Sequence, residues 1–295
     1  MPFFNMARNG TEQSHLCPAK RTVVRPVKEN VVKTEETILV VPCESLISGD
    51  QIVEVVDSSN CRIKRMGDAT VPRTKPAWED KMWDSYNFLM KCPDVSRLRK
   101  LLARHELFKM SLEIPSDIVE CGVFKGTGLM QFFKLRQIYI PNSIKKVIGF
   151  DLFHTQPELS GNDDTQMNQL FKEAQFTGID PEELRKAAEA ITGNSNNVEL
   201  IAGDVTKTCQ EYATSRPGFR ISFLHMDLDV EIPTLKSLEA LWPKVCKGGV
   251  IVFDEYAISR WSESNAIDKF FEDKPNQKLR TLPWAHTPTA YIIKE

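Results

Sequence analysis

Two short segments carry more carboxylate than packing needs. HMDLD supplies Asp227 and Asp229, and VFDEY supplies Asp254 and Glu255. Each ends an apolar run of strand composition, so the acids fall at strand tips. If the two strands are neighbours in one sheet, Asp227, Asp254 and Glu255 converge at its carboxyl edge. Like charges brought together there need protons or a cation to offset them. Several oxygen ligands suit a hard divalent ion such as Mg²⁺, with water or substrate oxygens completing the shell. Such an ion would hold a substrate hydroxyl, lower its pKa and aim the oxygen at an electrophile. Asp229 has a second reading, as the cap of the helix that follows it.

A second chemical feature is DIVECGVFKGTG, Asp117 to Gly128. A short apolar run reaches Glu120, and Gly122, Gly126 and Gly128 then precede a helical GLMQFFKLRQIY. Glycine takes φ > 0 and lets backbone approach a ligand, and the N–H groups opening a helix favour an anionic or electron-rich group. The spacing differs from the dinucleotide fingerprint G-x-G-x-x-G. Asp151, at the end of VIGFDLF, lies 23 residues beyond Gly128. An acid at that distance, on the tip of the next strand, accepts hydrogen bonds from ribose hydroxyls in nucleotide-binding sheets. Turn and acid together predict a ribonucleoside cofactor.

These residues need strands to carry them. DIVEC, VIGFD, NVELIAGDV, ISFLHMDLD and VIVFDEY read as parallel strands alternating with helices, and KLRTLP and AYIIKE as a closing antiparallel pair. The expectation is an α/β, doubly wound, mostly parallel sheet of seven strands with helices on both faces and a C-terminal hairpin. Before the first strand, WEDKMWDSYNFLMK and DVSRLRKLLARHELFKM read as helices, with Leu98, Leu101, Leu102 and Leu107 near one face and Asp94 and Ser96 as caps. Gly203 and Asp204 end the third strand, where a polar residue would sit beside the base of a bound nucleoside. Between the second and third strands runs a long excursion, residues 154–193. Thr165–Phe176 and Pro181–Ile191 suit helices there, the second capped by Asp180. Excursions at this edge shape substrate pockets or lids, which makes His154 a candidate for substrate contact.

Residues 1–77 lack a long helical period and read as a separate arm or small β cap; residues 78–295 read as the main domain. Net charge is −2 over 295 residues, so no basic field points to nucleic acid or an anionic membrane. The seven cysteines form no C-x-x-C pair and read as free thiols in a reducing compartment. With no long apolar run or signal-like start, a cytoplasmic protein is expected.

VECGVFKGTG, GFDLF, AGDV and LHMDLDVEIPTLKSLEALWPKVCKGGVIVFDEY together resemble the macrocin (TylF-type) O-methyltransferases, a family of class I, S-adenosylmethionine-dependent enzymes. The resemblance runs from about Trp78 to the C-terminus. It implies a Rossmann-like methyltransferase fold and methyl transfer from S-adenosylmethionine to a hydroxyl of a small natural product, with Mg²⁺ beside the acceptor. Carried over by position, Glu120, Gly122 and Thr127 line the methionine part of the cofactor, Asp151 the ribose and Asp204 the adenine. Asp227, Asp254 and Glu255 are the implied metal ligands. Apart from the resemblance, Asp227 and His154 are both candidates for the general base, and the sequence does not choose between them. Two departures stand out: the family's second aspartate before the tyrosine is Glu255, and Glu231 replaces an expected tyrosine. Homo-oligomers are common among enzymes of this shape. Two rival readings are a nicotinamide-dependent oxidoreductase and a non-catalytic binding protein on the same fold.

Overall fold

The computed structural model describes residues 79–154, 156–193 and 196–295; the arm or cap expected over residues 1–77 lies outside them. Beyond the first turn of its opening helix, everything described belongs to one unit, Met82–Glu295. Helices α1 (Glu79–Lys91) and α2 (Ser96–Met110) lead into β1 (Asp117–Cys121). Then follow α3 (Thr127–Tyr139), β2 (Val147–Asp151), α4 (Gly161–Glu173), α5 (Pro181–Thr192), β3 (Val198–Ala202) and α6 (Val205–Ser215). The chain closes with β4 (Ile221–Met226), α7 (Glu231–Leu241), β5 (Val245–Phe253), α8 (Glu263–Phe271) and β6 (Ala290–Ile293).

The strands form one sheet of order β3-β2-β1-β4-β5-β6, parallel except for β6. Strands covered by helices on both faces favour apolar residues on both, which is why VIGFD and ISFLHM do not alternate, with Ser222 and His225 as buried polar exceptions in the latter. Side chains on successive residues face opposite ways. Ile118, Val147, Phe223 and Val252 pack with Leu107, Phe108, Phe132 and Leu184 of α2, α3 and α5. Val119, Ile148, Leu224 and Ile251 pack with Cys209, Leu238 and Ile267 of α6, α7 and α8.

Six strands stand where seven were expected. KLRTLP contributes a single antiparallel bridge, Arg280 to Tyr291. Pro283 has no N–H to extend the ladder, and Leu282 turns into the core instead. Strand order reverses between β1 and β4, so the crevice of an open α/β sheet falls there. Their register sets Glu120 beside His225 and Cys121 beside Met226.

Candidate active site

The glycine turn is held by one carboxylate. Asp151 Oδ2 accepts from the N–H groups of Val123 (2.6 Å) and Phe124 (2.9 Å), and its Oδ1 accepts from Phe153 (2.8 Å). The residue expected to face a ribose therefore also clamps the turn before it. Gly122 has φ +89, and a Cβ there would lie 1.8 Å from the Asp227 carbonyl oxygen. Only glycine lets these two segments meet. Gly126, at φ +81, caps α3. The first residue of that helix, Thr127, is exposed. Gly128 leaves room for Glu120, whose Oε1 a Cβ would approach to 2.0 Å.

Glu120 is buried, and its Oε1 lies 3.1 Å from His225 Nδ1. On the other side, His225 Nε2 lies 3.4 Å from Asp254 Oδ1, an electrostatic contact and not a formed hydrogen bond. Lys100 Nζ donates to Asp254 Oδ2 at 2.6 Å, and Arg104 donates to Asp227 Oδ2 at 2.9 Å. A continuous chain of charge thus runs Glu120, His225, Asp254, Lys100 and Arg104, Asp227. Burial opposes the Asp254 carboxylate, but Lys100, His225 and Arg104 outweigh it and hold the group well below the usual carboxylate range. Burial and Arg104 oppose the His225 cation, yet Asp254 and Glu120 raise its pKa.

Three further acids complete the edge. Burial, with Asp254, Asp229 and Asp227 alongside, pushes Glu255 up to about 9. Burial, then Asp227 and Asp254, pushes Asp229 well above its ordinary value, and burial with Asp229, Asp254 and Asp227 does the same to Glu263. Glu263, fully buried, accepts from the Glu255 N–H at 2.7 Å through Oε2, while its Oε1 has no partner. Asp229 does not cap α7 with its side chain; its backbone sits at φ +67, and Ser262 Oγ caps the helix by accepting from the Glu231 N–H at 2.8 Å.

Among the described residues, nine buried polar side-chain atoms have no hydrogen-bond partner, and five belong to this network: Arg104 Nε, Glu120 Oε2, His225 Nε2, Asp254 Oδ1 and Glu263 Oε1. Native interiors leave few such atoms, and a cluster of them marks a site. Asp227 and Lys100 are its members with access to the outside, their side chains 19% and 18% exposed against 0% for Asp254.

The expected metal ligands meet this picture unevenly. Asp227 and Asp254 do come together, but Lys100 and Arg104 already lie against them. Among the described residues, the set of three side chains with ligand atoms within 4.8 Å of one another is Glu120, His225 and Asp227, without Asp254 or Glu255. Arg104 contacts Asp227 of that set as well. As they stand, these donors do not fit a divalent ion. His154 is exposed, and no hydrogen bond or ion pair joins it to Asp227. Asp204 caps α6 by accepting from the Thr206 N–H at 3.0 Å. Sequence reasoning missed Lys100, Arg104, His225 and Glu263. The available signal was an arginine and a lysine four residues apart on a helix that enters the first strand.

The excursion lies over the turn. Phe124 packs on Phe176 with ring centroids 4.3 Å apart and on Phe171 at 6.2 Å. Lys125 Nζ donates to the Ala174 carbonyl, and α4 is tied to the segment before α8 through Ser262 and Asp163.

A mostly parallel sheet of this order, with a glycine turn at its switch point and acids on the next strand tip, defines a Rossmann-like methyltransferase fold. The chain belongs to the macrocin-O-methyltransferase (TylF) family, whose model matches residues 83–282. A Streptomyces olivaceus enzyme named 8-demethyl-8-(2,3-dimethoxy-alpha-L-rhamnosyl)-tetracenomycin-C 4'-O-methyltransferase is 26% identical over 148 residues. That match covers 49% of this chain, and the chain spans about half (54%) of the relative's length. The structure of CalS11, a calicheamicin methyltransferase, aligns with a TM-score of 0.60 at 25% identity, over 74% of this chain and 93% of CalS11. A second CalS11 structure, described as a TDP-rhamnose 3'-O-methyltransferase, aligns at 0.54 with 25% identity, over 74% and 95% of the two chains. The O-methyltransferase NovP shares the fold, with a TM-score of 0.57 at 20% identity over 67% of this chain and 80% of its own.

Proposed function

We propose that this protein is an S-adenosylmethionine-dependent O-methyltransferase acting on a hydroxyl of a deoxysugar, free as its nucleotide ester or attached to a small natural product. The observation that carries the reading is the close backbone approach of Gly122 to Asp227, which sets the glycine turn directly beside a partly exposed acid of the network. Family membership supports the reaction class, and the rhamnosyl substrates named for the S. olivaceus enzyme and CalS11 support the acceptor class.

The residues fit the cofactor. Glu120, beside the Gly122–Thr127 turn, keeps a buried carboxylate oxygen, Oε2, without a partner, and we assign it to the amino end of the cofactor, Asp151 to the ribose and Asp204 to the adenine, as the family resemblance implies. When bound, the cofactor supplies an electrophilic sulfonium methyl. Asp227 accepts the proton of the acceptor hydroxyl as the O–C bond forms and the S–C bond breaks, leaving a neutral thioether. His225 and Arg104 keep Asp227 and Glu120 in place, and most of the acceleration comes from alignment. His154 is the second candidate base, since it lies in the excursion that would cover the acceptor.

Self-association belongs to the same reading. α1 buries none of its residues and exposes Trp83, Tyr86 and Phe88, which suits a second copy of the chain. Among the described residues no helix is long and apolar enough to cross a membrane, and Cys92, Cys121, Cys209 and Cys246 are free thiols, in keeping with a reducing compartment.

The test is calorimetric titration of S-adenosylhomocysteine, followed by methyl transfer to a panel of nucleotide deoxysugars and rhamnosylated aglycones. Binding, with turnover that Asp227→Asn abolishes while binding persists, is the expected result. A folded protein that gives no heat refutes the reading.

A further inference from the structure

Lys100 occupies the place between the acids where a divalent ion was expected. Its Nζ lies 2.6 Å from Asp254 Oδ2 and 3.7 Å from Asp227 Oδ2, so one ammonium spans the tips of β4 and β5. Arg104, one helical turn later, reaches the same two groups at 3.7 and 2.9 Å. The side chains are only 18% and 5% exposed. Taking two cations out of water is costly unless they are paired, and here each is paired twice. Their position does not depend on a loop: Ala103, Leu107 and Phe108 of the same helix are core residues. A divalent ion between these carboxylates would have an ammonium and a guanidinium within a few ångströms, a repulsion that the carboxylates, already shared, would not offset.

We infer that Lys100 is the resident cation of this site and takes the part of a divalent metal there. The ammonium stays protonated throughout. It orients the acceptor oxygen and stabilises the negative charge that develops on it as the proton passes to Asp227 and the methyl arrives. Arg104 acts as a positioning residue for Asp227. The role toward the acceptor rests on the methyltransferase reading; the identity of the cation does not, because metal binding reads it without turnover.

Mn²⁺ titration followed by electron paramagnetic resonance, on the full chain, tests this. The parent should bind no stoichiometric Mn²⁺, and its affinity for S-adenosylhomocysteine should be the same with Mg²⁺ or with chelator. Lys100→Ala should gain one Mn²⁺ site, tighter by on the order of a hundredfold, since a unit charge a few ångströms from the ion has gone. Adding Asp254→Asn should remove that site. Lys100→Met keeps the apolar stem, guards against a variant that fails to fold, and should behave as Lys100→Ala does. One Mn²⁺ per parent chain, lost in Asp254→Asn, would overturn the inference. So would folded Lys100→Ala and Lys100→Met proteins that bind no Mn²⁺. If S-adenosylhomocysteine fails to bind while the variants gain Mn²⁺, the methyltransferase reading falls and the cation assignment stands.

Discussion

Replacing Asp151 should cost stability as well as cofactor. Its carboxylate accepts three backbone N–H groups, two from the glycine turn and one from Phe153. Hydrogen bonds to a charged group contribute about 1.5–3 kcal/mol each when a single one is removed. The three share one side chain, and the half-buried site lets water take over part of their role, so the losses do not add fully. We expect Asp151→Ala to lose about 2–4 kcal/mol, which for a unit of this size lowers the melting temperature by roughly 5–15 °C. Asp151→Asn keeps one acceptor oxygen but turns an amide toward the other donors, so it should fall about midway between Ala and parent. Differential scanning fluorimetry without ligand measures this, and cofactor titration on the same samples separates the two roles. A ligand-free Asp151→Ala protein melting within about 1 °C of the parent, with only its cofactor affinity reduced, would refute the clamp.

Asp204→Ala should cost about 1 kcal/mol in urea unfolding, the ordinary loss of a helix N-cap, because Asp204 accepts from the Thr206 N–H. An unchanged midpoint would show that its role in the free protein is not capping. Glu255 is pushed up to about 9, so the folded chain holds a proton there that the unfolded chain releases near its ordinary value. That contribution to stability is full below the unfolded pKa and is lost as pH rises through the folded one. The melting temperature in chelator should therefore fall between pH 6 and pH 9, and Glu255→Gln should flatten that fall; equal slopes would exclude Glu255 as its source.

Most of the sheet could be read from the sequence, because strands buried on both faces leave continuous apolar runs and their tips carry the acids and glycines. The seventh strand could not: KLRTLP has strand composition, but pairing depends on a partner edge and on Pro283, not on composition. At the site, the acids were legible by type and the cations were not. Leucines suggested the buried face of α2, yet Leu102 is 49% exposed, while Arg104 is buried beside Ala103, Leu107 and Phe108. An arginine turned inward by partners more than a hundred residues away leaves no periodic trace. Glu263 was hidden for the same reason, since an acid in the first turn of a helix is ordinary until β5 delivers Glu255 beside it.

Gly122 meets Asp227 through main chain alone, with no side chain between them. The gap between the donor side and the acid is thus riveted at the level of the backbone, while α4 and α5 approach through side-chain packing on Phe124 and Gly126. Recognition and reach are separately adjustable in such an architecture. On the methyltransferase reading proposed above, remodelling the excursion would change which hydroxyl is admitted and leave the span the methyl must cross as it was.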